Sequence, residues 1–107
     1  SNEFIAVARR EDIDIHTLHF HTGCGYLNEN LPNLKKVFQE ANKFIEKIGT
    51  IEHVNIGGGL GVPHQKTDHR IDLSKWASLI KESLPADINI QVEPGEYIMK
   101  DAGLLIV

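Results

Sequence analysis

The chain has 107 residues, 41% of them hydrophobic and 24% charged, with a formal net charge of −4 and a single cysteine, Cys24. That length fits one small domain or a piece of a larger one, and the balance is ordinary for a soluble globular chain. The acidic charge argues against nucleic acid as a partner, the apolar runs are too short to span a membrane, and one cysteine excludes an internal disulfide and suits a reducing cytoplasm. No signal-peptide pattern opens the chain; Ser1-Asn2-Glu3 reads as if cut within a helix, with Ser1 and Asn2 a candidate cloning remnant.

Residues Glu3 to Arg10 carry Phe4, Ile5, Ala6, Val7 and Ala8 and are expected to be the tail of a helix, a short strand being the alternative. From Ile13 to His21 the residues alternate as in a strand. Thr17, His19 and His21 form one set, Leu18 and Phe20 the other, and neither is cleanly polar, which suits a strand covered on both faces. His19 and His21 would place two imidazoles on one face, but no third ligand is evident and no metal is expected. Gly23-Cys24-Gly25 ends the strand. Leu34, Val37, Phe38, Ala41, Phe44, Ile45 and Ile48 recur at helical spacing and predict a helix over 32–48, with Asn30 or a neighbour as cap, Pro32 in the first turn and Gly49 just past the end.

A second strand is expected from Ile51 to Ile56, running into Gly57, Gly58 and Gly59. Without Cβ atoms such a run can turn its N–H groups towards an anion; a flexible turn is the plainer alternative. Neither the Walker pattern nor the dinucleotide fingerprint is present. Residues 62–70 are polar and without period, hence a loop, either a lid or plain surface. Asp72 or Ser74 starts a helix with Trp76, Ala77, Ile80 and Leu84 on its stripe, and Pro85 stops it. Ile88 to Val92 alternates as a third strand and leads into Glu93-Pro94-Gly95-Glu96. Tyr97 to Ala102 is helical or irregular, and Leu104 to Val107 opens a further strand.

Strand, helix, strand, helix, strand predicts parallel strands joined by right-handed crossovers. Each strand ends in a glycine-containing motif, so all three motifs fall on one edge of the sheet. Ligands of α/β barrels bind at that edge.

In this order, the turn from His21 to Gly25, the run Gly57 to Gly59 and the turn Glu93-Pro94-Gly95 resemble the motifs of the fold-type III pyridoxal-phosphate decarboxylases, the diaminopimelate and ornithine decarboxylase family. The resemblance extends from about Ile13 to Val107. It implies an α/β fold in which residues 1–107 are the later part of an alanine racemase-like (β/α)8 barrel that binds pyridoxal 5'-phosphate. The earlier barrel strands, with the Schiff-base lysine, and a second, β domain would lie elsewhere. By the same resemblance the parent protein is a cytoplasmic, homodimeric carboxy-lyase. It acts on a diamino acid as diaminopimelate decarboxylase does in lysine biosynthesis, and these residues alone are inactive.

Carried over by position, His21 is the imidazole that stacks on the cofactor ring; a satisfied core histidine is the alternative. Gly57, Gly58 and Gly59 bind the cofactor phosphate. Glu93 pairs with the pyridine nitrogen, which keeps the ring protonated as an electron sink; otherwise it is a surface acid in a turn, disfavoured directly after an apolar strand. Two positions depart from the family. Cys24 stands where relatives usually have Ser, and a thiol is the poorer donor. Glu96 stands where they usually have Arg, so it either points away from the anion or recognises a cation. Lys66 and Lys100 do not match the Schiff-base position. The departures leave two alternatives: a pyridoxal-phosphate binder that does not decarboxylate, or an unrelated phosphate-binding α/β domain.

Overall fold

The computed structural model describes residues 2–103, so the strand expected at Leu104 to Val107 lies outside the described residues. Helix α1, Asn2–Arg10, confirms helix over strand at the start, with Ile5 and Ala8 buried on one face. Asp12 then adopts φ 55° and turns the chain, and the Ile13 N–H donates back to the Ala8 carbonyl at 2.8 Å. That closing turn takes up the start of the strand expected from Ile13. Strand β1 is only Thr17–His19. Alternation marks where a strand could run, but a ladder forms only where a neighbour lies alongside. The same limit trims the other two strands to β2, His53–Asn55, and β3, Asn89–Gln91. Single bonds continue the pairing past the ends, as from Phe20 N–H to the Asn55 carbonyl at 3.1 Å and from Ile56 N–H to the Gln91 carbonyl at 3.0 Å.

Helix α2, Leu31–Ile48, begins one residue before the expected range, and Gly49 closes it in the left-handed region at φ 79°. Its buried stripe is Leu34, Phe38, Ala41 and Ile45. Helix α3, Leu73–Ser83, starts at Asp72, whose carboxylate accepts the Lys75 N–H at 3.0 Å. That bond holds the Asp72 carboxyl below its ordinary range. Residues 62–70 are a loop, as expected. After β3 the chain forms the short helix α4, Gly95–Met99, and a further turn to Ala102.

The strands are parallel and lie in the order β1-β2-β3. Each crossover lands on the next strand without reversing, and α2 and α3 pack into one core on the same face. A doubly wound sheet reverses direction and carries helices on both faces; a barrel wall does neither. Val54 and Phe38 are 0% and 1% exposed at the centre of that core, and Phe20 meets Phe38 with ring centroids 6.2 Å apart. Burying a side chain such as Val54 contributes about 1.5–3 kcal/mol.

The opposite face is polar. Thr17, His53 and Asn89 form one row across it, and His19, Asn55 and Gln91 the next. A radius of gyration of 16.5 Å exceeds the roughly 13 Å of a compact chain this long. The shape is an open slab, helices outside and polar rows inside. Among the described residues no helix is long and apolar enough to cross a membrane.

Candidate functional site at the strand ends

The three strand ends nest on one another through main chain. A Cβ at Gly58 would collide with the Glu93 carbonyl oxygen, and one at Gly59 with the Gly23 carbonyl oxygen. Gly59 is also held at φ 94°. Neither obstacle is a side chain that could swing aside, so only glycine fits. On the β1 side a Cβ at Gly57 would lie 3.2 Å from Nδ1 of His21. On the β3 side the Glu93 N–H donates to the Gly57 carbonyl at 2.8 Å. One glycine run therefore touches the ends of both neighbouring strands and brings His21 and Glu93 to its two flanks.

Buried Tyr26 braces the arrangement. Its hydroxyl donates to the Gly58 carbonyl at 3.2 Å, and its N–H donates to the Gly59 carbonyl at 2.9 Å. Burial pushes the Tyr26 phenol above its ordinary value, so it stays a donor.

The Gly57 N–H is taken by Oδ1 of Asn55 at 2.8 Å. Among the described residues the N–H groups of Gly58 and Gly59 have no acceptor. Free main-chain donors at strand ends fit a phosphate-bearing ligand. The Gly57 N–H differs from them in already having its acceptor within the chain.

Glu93 is not enclosed by apolar groups, contrary to the argument from the preceding strand. Its side chain is 57% exposed on the polar face, and Oε1 accepts from Nδ2 of Asn55 at 2.8 Å. Nε2 of His19 lies 4.0 Å from the same oxygen. The two imidazoles expected on one face thus diverge: His19 faces Glu93, whereas Nε2 of His21 lies 4.0 Å from the exposed Cys24 thiol. Among the described residues no three metal-ligating groups converge.

Glu96 stands apart from the glycine run's contacts. Its carboxylate lies 2.6 Å from Nζ of Lys100 and 3.4 Å from Nε2 of His64. Lys100 pairs with the Glu96 carboxylate, so the acid has a cationic partner within the chain. Asn55 escaped the reading of the sequence. Its signal was there, since a polar residue two before Gly57 on a buried strand must face inward with His53.

The family model described as pyridoxal-dependent decarboxylase, pyridoxal binding domain, matches residues 1–100. The chain belongs to that family. Over 110 residues it is 30% identical to diaminopimelate decarboxylase of Buchnera aphidicola subsp. Acyrthosiphon pisum, a match that covers 95% of this chain and 26% of the relative. Against the diaminopimelate decarboxylase of Aquifex aeolicus the identity is 30% over 107 residues, 97% of this chain and 26% of the relative. Diaminopimelate decarboxylase from Helicobacter pylori complexed with L-lysine superposes with a TM-score of 0.71 at 26% identity, over 86% of this chain and 24% of that one. The chain spans about a quarter of the length of the curated relatives it matches. Its three β/α units are a section of the barrel of this alanine racemase-like fold.

Proposed function

We propose that this chain forms the pyridoxal 5'-phosphate-binding wall of an amino-acid decarboxylase acting on a diamino acid of the diaminopimelate type. The observation that carries the reading is the glycine run, flanked by His21 and Glu93 and with two unengaged N–H groups at the strand ends. The N–H groups of Gly58 and Gly59 would hold the phosphate. His21, resting on Gly57, would lie against the ring and restrict its tilt. The Glu93 carboxylate would hold the proton on the pyridine nitrogen. When bound, the cofactor supplies the electron sink that takes up the electron pair left by departing CO₂.

Among the described residues no lysine sits on the polar face at a strand end: Lys66 is in the loop and Lys100 is engaged by Glu96. Relatives about four times as long leave room for a Schiff-base lysine and a second domain in segments other than these, and we propose that the whole protein pairs as a homodimer.

The test is calorimetric titration of pyridoxal phosphate into the protein and its Glu93→Gln and His21→Ala variants, with CO₂ release from diamino acids by the full-length protein. Binding that weakens in both variants, with CO₂ released from a diamino acid, is expected. A full-length protein that binds no cofactor, or binds it and releases no CO₂, overturns the reading.

A further inference from the structure

We propose that Asn55 is the positioning residue of the site, one side chain that sets the glycine turn with its oxygen and aims Glu93 with its nitrogen. The inference rests on the reading of Glu93 as the partner of the ring nitrogen. Asn55 lies on the central strand, between His19 and Gln91 in the inner polar row. The two ends of its amide are not interchangeable. The Gly57 N–H can only donate, so the atom 2.8 Å from it is the oxygen. That fixes Nδ2 towards Oε1 of Glu93, also at 2.8 Å. The carboxylate can only accept, so both contacts demand the same amide orientation.

Without this donor the exposed Glu93 side chain would be free to change rotamer. Among the described residues His19, at 4.0 Å, is too far to replace it. The requirement is specific to asparagine. Aspartate at 55 would still accept from Gly57 but would set a second carboxylate against Glu93. Alanine would lose both contacts. The turn and the acid, which belong to different strands, are thereby positioned as one unit.

The test compares wild type, Asn55→Ala, Asn55→Asp and Glu93→Ala in binding pyridoxal 5'-phosphate and its 1-deaza analogue, in which C–H replaces the ring nitrogen. Amide hydrogen exchange at Gly57 and the side-chain amide resonances of Asn55 are followed without cofactor. Asn55→Ala is expected to weaken pyridoxal phosphate about tenfold more than it weakens the deaza analogue, the scale of one charge-assisted hydrogen bond. Its Gly57 amide exchanges about tenfold faster, on the scale of one lost hydrogen bond. Asn55→Asp loses the preference for the ring nitrogen but keeps Gly57 exchange near wild type. Equal weakening of both ligands in Asn55→Ala, or unchanged Gly57 exchange, overturns the assignment. If the full-length wild type binds neither ligand, the proposed function fails, and the positioning role is still decided by Gly57 exchange and by whether Glu93→Ala shifts the Asn55 amide resonances.

Discussion

Nζ of Lys100 lies 2.6 Å from Oε1 of Glu96, one helical turn away, and 2.8 Å from Nε2 of His64 in the loop between β2 and α3. The three side chains clasp that loop to α4. The Lys100 hydrogen bond is the main reason the Glu96 carboxyl titrates below its ordinary value of 4.5. A carboxyl lowered by folding stabilises the fold above its ordinary value, and the contribution is lost as pH falls through the folded value.

The clasp should therefore open with acid. Amide exchange over residues 62–70 is expected to be faster in Lys100→Met than in wild type near neutral pH. The two should converge in acid, below the ordinary glutamate range, as Glu96 becomes protonated. Exchange that is equal in both proteins at neutral pH would show that the clasp does not restrain the loop.

Gly58→Ala and Gly59→Ala should each destabilise the protein by about 1–3 kcal/mol or more, because the added carbon meets backbone. Gly95 has open space where a Cβ would go, so Gly95→Ala should stay within about 0.5 kcal/mol. Urea unfolding of the three variants checks the contrast.

Phe38→Ala removes the 1%-exposed ring at the centre of the core. A loss of about 3–5 kcal/mol is expected, a large share of what a domain of this size holds. Thermal unfolding followed by far-UV circular dichroism should show a much lowered midpoint or no cooperative transition.

The exposed Cys24 thiol lies beside His21. A maleimide should label it stoichiometrically in the native protein and weaken pyridoxal phosphate binding. Cys24→Ser should escape labelling and bind the cofactor more tightly, by about fivefold if the hydroxyl adds one hydrogen bond.

The helical parts of the fold were legible because helices are set by local spacing. The stripe of Leu34, Phe38, Ala41 and Ile45, with Pro32 and Gly49 at its ends, placed α2 to within one residue. The strands were located correctly but drawn too long, since alternation from Ile13 to His21 says nothing about whether a partner lies alongside. His21, Glu93 and the glycines were legible as motifs. The bond from Asn55 to Glu93 was not, because it joins residues 38 apart in sequence that only sheet register brings together. The pairing of Glu96 with Lys100 was within reach, since i and i+4 meet on a helix. It depended on residues 95–99 being helical rather than irregular.

Because the strand ends interlock carbonyl to Cα at Gly58 and Gly59, main chain sets how closely they approach, with Tyr26 and Asn55 bracing the turn. Side chains outside that lock, such as Cys24 and Glu96, can then change identity without moving the strand ends. Such an arrangement separates evolvability from stability. Side chains at the rim can drift, while replacing a single hydrogen with a methyl group at Gly58 or Gly59 would force the strand ends apart.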